Sequence, residues 1–311
     1  MIDMKKRIAG ALFGVAVGDA LGGPVEFMGP EQIAAKYGRL DRMVGGGWLS
    51  LVPGEITDDT QMTLCVAEGI VEVPDAPVEA VGRRFIEWAN AGPKDVGAAC
   101  AHSIHNAQRI GGVSPNAEQW EEAAKATQGS QGRPVEGNGA LMRTVYPGLY
   151  YQQHRAEYVA MKIAQMTHAG HRSTEACILY SRMINLLTAS ESPADDAEAM
   201  RNILTNECSA VSEYWDVIID GEIKPASGGW VVDAMRIAVG SVATTDSFRE
   251  AVVTAVNLGG DADTNAAITG GLAGAWYGYD AIPAEWIAAL APDVREKLIR
   301  LTDAAYEARR R

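Results

Sequence analysis

Apolar residues recur along most of the chain at spacings of three and four, which is the period of an amphipathic helix. Ile8, Leu12 and Val15 share one face of such a helix, and Asp19 continues that face. Alternating runs of β-branched and aromatic residues, the pattern of a half-buried strand, are scarce by comparison. The pattern therefore predicts an all-α protein.

Further helices are predicted by the same spacing, and stretches rich in Gly, Ser or Asp separate them. No such stretch is long or biased enough to be an interdomain linker, and we find no internal repeat. We therefore expect residues 1–311 to form a single compact many-helix domain. The helices predicted after the first span 60–73, 77–90, 95–110, 117–126, 155–168, 173–189, 196–207, 230–240, 246–257, 264–277 and 293–308. The predicted loops lie at 45–47, 111–116, 128–138 and 190–197.

A row of glycines marks the first predicted helix. Gly10, Gly14, Gly18 and Gly22 occupy every fourth position. Residues four apart lie on one helical face, and glycine leaves that face without side chains. The row therefore predicts that a second helix, or a ligand, approaches the backbone closely here.

The charge of the chain limits its partners. The formal net charge is −13, and such a chain as a whole repels nucleic acid and anionic membranes. We expect no nucleic-acid binding. An anionic substrate would need local cations or backbone amides to offset this charge.

Features that bear on location favour the cytoplasm. The four cysteines lie far apart with no CxxC pair, which favours buried free thiols in a reducing compartment. Lys5 to Arg7 and the apolar run 8–18 resemble the start of a secretory signal. However, Asp19 follows at once and the helical period continues through it. No stretch reaches the 18 or more apolar residues of a membrane span, so none is expected.

Two segments place aspartates beside threonine hydroxyls at the start of a predicted helix. A single acidic residue there is ordinarily a cap. A dense cluster of carboxylate and hydroxyl oxygens instead suits a hard cation such as Mg²⁺ or Mn²⁺. Since each cluster repels itself, we expect a shared pair of divalent cations to neutralise both. The segments are Thr57-Asp58-Asp59-Thr60 and Asp261-Ala262-Asp263-Thr264.

The geometry of the second segment is open to a simple prediction. Aspartates two apart do not share a helical face. If Asp261 caps the helix and Asp263 lies in its first turn, both can still point at one spot beyond the helix end. The flanking Gly259 and Gly260 would keep that spot free of side-chain bulk.

Three other segments carry candidate chemistry. In 18–27, a glycine-rich turn after the first helix carries two carboxylates, those of Asp19 and Glu26. In 136–143, Gly-Asn-Gly is either a plain tight turn or a place where free backbone amides face an anion. In 166–171, His168 and His171 are either ligands or satisfied core histidines.

Taken in order, the segments GDALG, TDDT, GNGALMR, THAGH and GGDADTNA resemble the ADP-ribosylglycohydrolase family. No single segment is specific, but the ordered set is, and it covers most of the chain. The resemblance implies an all-α fold with a binuclear Mg²⁺ or Mn²⁺ centre at the mouth of a cleft. It also implies metal ligands at Thr57, Asp58, Asp59, Asp261, Asp263 and Thr264.

The resemblance assigns further roles around that centre. Asp19 and Glu26 would line the same cleft, with Glu26 on a mobile loop. Asp59, Asp263 and Glu26 are the candidates for general acid and base, in an order left open. The ADP-ribose would be held by His168 and by the backbone of Gly137, Asn138, Gly139 and Ala140.

The expected activity is metal-dependent hydrolysis of the bond between ADP-ribose and a modified protein side chain, releasing free ADP-ribose. Arginine is the favoured side chain, because the resemblance is to bacterial members that are mostly arginine-directed. The attraction of an acidic cleft for a guanidinium adds a little to this expectation, since two cations would cancel much of the local charge. Serine-linked or nucleobase-linked ADP-ribose is the nearest alternative. A non-catalytic ADP-ribose reader or transferase blocker, a phosphatase acting on small phosphates, and a structural role on the same fold remain further alternatives.

Overall fold

The computed structural model describes residues 2–131, 136–190, 223–225 and 228–311. These residues form helices and connecting loops, with two isolated β-bridges but no strand among them. The predicted all-α class is confirmed. The helices are α1 Met4–Gly22, α2 Pro30–Tyr37, α3 Asp58–Glu72, α4 Val78–Asn90, α5 Ala98–Gly111, α6 Ala117–Gln131, α7 Val145–Tyr150, α8 Gln153–Ala164, α9 His171–Ala189, α10 Val231–Ala243, α11 Phe248–Asn257, α12 Ala262–Tyr277, α13 Ala284–Ala289 and α14 Pro292–Arg309.

Helices α1 and α12 form the centre of the fold and run antiparallel in close contact. A Cβ built on Gly14 would lie 2.0 Å from the carbonyl oxygen of Gly270, and one on Gly18 would lie 2.1 Å from that of Ala266. Gly10 and Gly274 meet in the same way. The predicted glycine face is thus confirmed, and its partner is a helix.

This packing fixes where the chemistry-bearing ends of the two helices lie. The C-terminal end of α1, which carries Asp19, meets the N-terminal end of α12, which carries Asp263. Around the pair, the buried apolar side chains form one continuous core that reaches from Ile8 to Ala305. The packing of the two helices therefore fixes the positions of the residues at these two ends.

The apolar character of α1 follows from its central place. The segment Met4–Val25 is long and apolar enough to cross a bilayer, but 94% of its most apolar window is buried inside the protein. The core helix of a globular fold has the same composition. The three cysteines within the described ranges, Cys65, Cys100 and Cys177, are free, as expected.

Most predicted helices coincide with observed ones to within a few residues. Three short helices, α2, α7 and α13, were not predicted, because six to eight residues hold too few turns for a periodic signal. The loop predicted at 128–138 is partly wrong, since α6 continues to Gln131 and a 3-10 helix begins at Asn138. The helix predicted at 196–207 lies outside the described residues, and so does the loop predicted at 190–197 except for its first residue.

Candidate active site

Two helix N-termini face each other at the centre of the candidate site. In α3, Thr57 is the N-cap, and Asp58 and Asp59 lie in the first turn. In α12, Asp261 is the N-cap and Asp263 lies in the first turn, as predicted. The unpaired amides and the dipole of a helix N-terminus favour negative charge nearby. Both helices thus lower the free energy of placing carboxylates here.

The two acidic clusters converge in space, which confirms the predicted juxtaposition. The Thr264 hydroxyl lies 3.5 Å from Asp59 Oδ2, although the two residues are 205 positions apart. Carboxylate oxygens of Asp19, Asp59 and Asp263 all lie within 4.8 Å of one another, and so do those of Glu26, Asp261 and Asp263. We call these two overlapping groups the acidic triads. They share Asp263.

Asp19 occupies a different place from the one expected. It is fully buried, and its carboxylate accepts hydrogen bonds from the backbone N–H groups of Thr57 and Thr60 and from both hydroxyls. The expectation that Asp19 lines the cleft is therefore wrong. Its carboxylate lies beneath the cleft, where it holds the start of α3 against the end of α1.

Glu26 reaches the cleft from the end of α1. A 3-10 helix, Gly23–Val25, continues α1 where an open turn was expected, and Glu26 follows it directly. The Trp48 indole N–H donates to Glu26 Oε2 at 2.6 Å. The carboxylate is thereby fixed at the cleft mouth in this structure.

Burial and mutual repulsion shift the carboxyl groups of the site strongly. Burial raises the pKa of Asp19 to about 6, and burial with nearby carboxylates raises the pKa of Glu26 and of Asp58 to about 7. The pKa values of Asp59 and Asp263 lie well above the ordinary value for the same two reasons. This many adjacent carboxylates cannot all ionise without a compensating positive charge.

The cleft beside the triads has a volume of about 390 Å³. Asn138 lies on its wall and donates from Nδ2 to Asp261 Oδ2 at 2.8 Å, which ties the Gly137–Gly139 segment to the acidic triads. Of the expected ADP-ribose contacts, Gly137, Asn138, Gly139 and His168 line the cleft, whereas Ala140 is fully buried behind them. The backbone N–H of Asn138 is not free for an anion, because it donates to Gly229 O at 2.9 Å.

His168 is neutral in this setting. Burial lowers its pKa to about 3, and the Arg143 guanidinium adds to the effect. Arg143 donates to the Thr167 hydroxyl at 2.6 Å, and that hydroxyl lies 2.8 Å from His168 Nδ1. The Thr167 hydroxyl thus contacts both Arg143 and Nδ1, and the other ring nitrogen, Nε2, lies on the side of Gly137.

Asp95, Phe27 and Trp48 are among the cleft residues that the sequence does not single out. Asp95 lines the cleft ahead of α5, and burial together with Asp261 raises its pKa. The sequence signal for Asp95 is an acidic residue just before a helix. Because the predicted helix begins at residue 95, that prediction places Asp95 inside the helix. Phe27 and Trp48 also line the cleft. Nothing in their local sequence distinguishes them from ordinary exposed aromatic residues.

Known proteins share this sequence pattern and this fold. The family model described as ADP-ribosylglycohydrolase matches residues 1–311. The chain belongs to the ADP-ribosylglycohydrolase family. It is a glycohydrolase that is 35% identical over 300 residues to the ADP-ribosyl-[dinitrogen reductase] glycohydrolase of Rhodospirillum rubrum, covering 96% of this chain and 95% of that protein.

Other relatives agree. This glycohydrolase is 32% identical over 290 residues to the ADP-ribosylarginine hydrolase Tri1 of Serratia proteamaculans, covering 90% of this chain and 74% of that one. A solved structure titled ADP-ribosylglycohydrolase-related protein complex superposes with a TM-score of 0.80 at 28% identity, covering 98% and 99% of the two chains. The family and the fold are therefore supported along nearly the whole length of the chain.

The oxygen set of the glycohydrolase fits divalent cations. Asp59 Oδ1 is buried and has no hydrogen-bond partner among the described residues, although such atoms are normally satisfied. The two acidic triads, with Asp263 in common, offer two adjacent positions of carboxylate oxygen. Carboxylate and hydroxyl oxygens are the ligands that Mg²⁺ and Mn²⁺ prefer. A cation beside Asp59 would satisfy its buried atom and offset the repulsion.

The raised pKa values predict how the metal-free protein responds to pH. Asp19, Glu26 and Asp58 have folded pKa values of about 6 to 7, above the ordinary unfolded values near 4. Between about pH 7 and pH 4 the folded state therefore binds protons that the unfolded state has not yet bound. The free energy of unfolding should rise as the pH falls through this window.

Thermal unfolding in excess chelator from pH 8 to pH 5 measures this dependence. We expect the midpoint to rise toward pH 5, and saturating Mg²⁺ to raise the midpoint at pH 8 and flatten the profile. The Asp263→Asn protein, which lacks the carboxylate shared by both triads, is the comparison and should give a flatter metal-free profile. A midpoint that falls steadily from pH 8 to pH 5 in chelator would contradict the assignment.

Proposed function

We propose that this glycohydrolase cleaves the bond between ADP-ribose and a modified arginine side chain of a protein, using two divalent cations. One observation carries the proposal. The two acidic triads share Asp263, and their members Glu26, Asp261 and Asp263 line a cleft of about 390 Å³ together with the Gly137–Gly139 segment. The oxygen atoms that would hold the cations thus lie beside a space that can take the rest of a nucleotide-like substrate.

The cations would be held where the two helix starts meet. The proposed ligands are Thr57, Asp58, Asp59, Asp261, Asp263 and Thr264. When bound, two divalent cations supply Lewis acidity and orientation to the vicinal hydroxyls of the ribose. The hydroxyls of Thr57 and Thr264 both lie within 3.5 Å of Asp59 Oδ2, so each can hold that carboxylate in place.

Cleavage at the anomeric carbon builds positive charge on the ribose, as in other glycoside hydrolysis. Carboxylates facing the cleft stabilise that charge as it develops. A general acid or base works best with a pKa near the operating pH, and burial has brought Glu26 to about 7. We propose Glu26 as the group that moves the proton, with Asp59 and Asp263 as the other candidates.

The remaining substrate would extend along the neighbouring Gly137–Gly139 segment, which Asn138 joins to Asp261. Gly137 and Gly139 leave the wall without side chains, and built Cβ atoms there would crowd His168 at 3.2 Å. The neutral His168 offers the polar ring nitrogen Nε2 without adding charge. Of the positions expected to hold ADP-ribose, we therefore propose Gly137, Asn138, Gly139 and His168 as direct contacts.

Arginine is the proposed attachment site for two reasons. The Serratia relative is named for ADP-ribosylarginine. In addition, the described residues that line the cleft include Glu26, Asp58, Asp95, Asp261 and Asp263 but no Lys or Arg, so the entrance attracts a cationic leaving group. Two bound cations would cancel the charge of their ligands, and the remaining carboxylates, Glu26 and Asp95, favour a guanidinium over a neutral serine oxygen.

The test is a substrate panel. Purified protein with Mg²⁺ or Mn²⁺ is given arginine-, serine- and nucleobase-linked ADP-ribose, and free ADP-ribose is measured. We expect kcat/KM for the arginine linkage to exceed the others by tenfold or more, about 1.4 kcal/mol in transition-state binding, and we expect excess chelator to abolish release.

Each alternative has its own outcome in this panel. Preference for serine would overturn the linkage. Tight ADP-ribose binding without release from any substrate would indicate a reader or a transferase blocker. Phosphate release from simple phosphate esters would indicate a phosphatase. Full turnover in chelator would overturn the metal dependence.

A further inference from the structure

Two exposed aromatic side chains stand at the mouth of the cleft. Phe27 is 68% exposed and Trp48 is 53% exposed, and their ring centroids lie 5.6 Å apart with the planes tilted by 37°. We call this pair the aromatic rim. Both rings line the cleft, and no other strongly exposed large apolar side chain in the described ranges does so. Single exposed apolar residues are ordinary on a protein surface, but two exposed rings in contact on a cleft are not.

The rim is held in place by the backbone of the acidic site. Phe27 has φ of +64°, a left-handed conformation that a bulky residue rarely adopts. Its N–H donates to Gly260 O at 2.7 Å, and the Gly260 N–H donates to Met28 O at 2.9 Å. These bonds tie the Phe27 turn to the loop that leads into Asp261. The fold therefore maintains a strained residue in order to keep an apolar ring at the surface.

The loop around Trp48 also holds this side chain in a defined position. Trp48 follows Gly45, Gly46 and Gly47, all with positive φ, and paired hydrogen bonds between Gly46 and Leu51 close its loop. Its indole N–H donates to Glu26 Oε2. Ring and carboxylate thus form one unit at the cleft mouth.

The Trp48 ring and the Glu26 carboxylate together match the chemistry of a guanidinium group. A guanidinium is planar and cationic, stacks on aromatic faces and donates to carboxylates. The rim offers the aromatic faces, and Glu26 and Asp261 lie beside it. Adenine also stacks on aromatic rings, but the diphosphate separates it from the reacting carbon, so the base belongs away from the triads.

We propose that the aromatic rim is the subsite that binds the guanidinium of the modified arginine and gives the enzyme its preference for that linkage. This inference rests on the proposed function. Stacking holds the planar leaving group while the glycosidic bond faces the acidic triads. The rim is a specificity determinant and takes no part in proton transfer.

The test compares three variants on two measurements: kcat/KM for arginine-linked ADP-ribose, and the Kd of free ADP-ribose with Mg²⁺. Trp48→Ala removes the ring, Trp48→Phe keeps a ring but loses the N–H, and Tyr158→Ala removes an exposed aromatic residue that does not line the cleft. We expect Trp48→Ala to lower kcat/KM at least tenfold while the Kd changes less than twofold. Trp48→Phe should retain most of the wild-type kcat/KM, and Tyr158→Ala should match wild type.

Several results would overturn the proposal. A parallel loss of ADP-ribose affinity in Trp48→Ala would show that the ring stacks on the base instead. Equal losses of kcat/KM in Trp48→Phe and Trp48→Ala would assign the effect to the hydrogen bond with Glu26. An unchanged kcat/KM in Trp48→Ala would show that the rim does not bind the guanidinium. If wild-type protein releases no ADP-ribose from arginine, the proposed function itself fails, which is a separate result.

Discussion

Gly14→Ala is expected to destabilise the protein by about 3 kcal/mol or more, although it adds one methyl group. The new Cβ would lie 2.0 Å from the Gly270 carbonyl oxygen, and backbone cannot rotate away as a side chain can. Overpacking a core ordinarily costs about 1–3 kcal/mol, and a blocking backbone atom places this case at or above the upper end. Helices α1 and α12 would have to move apart.

The matched control is Gly129→Ala. Gly129 also lies in a helix, α6, but a Cβ there would meet no atom within 4 Å. Removing the flexibility of glycine from an open helical position stabilises by roughly 0.5–1 kcal/mol. Chemical denaturation of both variants measures the difference. An unfolding midpoint for Gly14→Ala equal to that of Gly129→Ala would show that the helix contact is looser than the structure indicates.

Asp263→Asn is expected to lower turnover at least 100-fold, about 2.7 kcal/mol in the activation barrier, while the helical fold persists. Asp263 belongs to both acidic triads, so its loss withdraws negative charge from both proposed cation positions. In the metal-free state the variant should be as stable as wild type or more so, because a buried and repelled carboxylate becomes neutral.

Circular dichroism, thermal unfolding in chelator and turnover at saturating Mg²⁺ together test this prediction. Asp303→Asn is the control, since Asp303 is an exposed aspartate of α14 that pairs at the surface with Lys5. It should leave all three measurements unchanged. Wild-type turnover in Asp263→Asn would refute the assignment of Asp263 as a shared ligand.

Much of the site could be predicted because its groups sit at helix starts, where local sequence is informative. Asp261 as a cap and Asp263 in the first turn follow from the glycines and small residues around them. The glycine period likewise predicts a close contact, although only the fold shows that the partner is α12.

The rest depends on contacts between distant segments, which periodicity does not encode. Helical spacing places Asp19 on a face, but its oxygens are taken by groups of Thr57, 38 positions away. Similarly, the Gly-Asn-Gly segment suggests free amides, yet the Asn138 N–H pairs with Gly229. The pairing of Phe27 with Trp48 joins two loops, and neither loop carries a signal of the other.

The antiparallel pairing of α1 and α12 has a consequence for how the protein is made. Arg7 donates to the carbonyl of Ala275 at 3.0 Å, 268 positions later in the chain. At roughly 5–20 residues per second of synthesis, the first helix waits on the order of tens of seconds for its partner. During that time its bare glycine face lacks its native partner. Because Asp261 and Asp263 precede or begin the same late helix, both acidic triads are completed only after most of the polypeptide has been synthesised, and shorter nascent chains hold only the Asp19, Glu26 and Asp59 part of them.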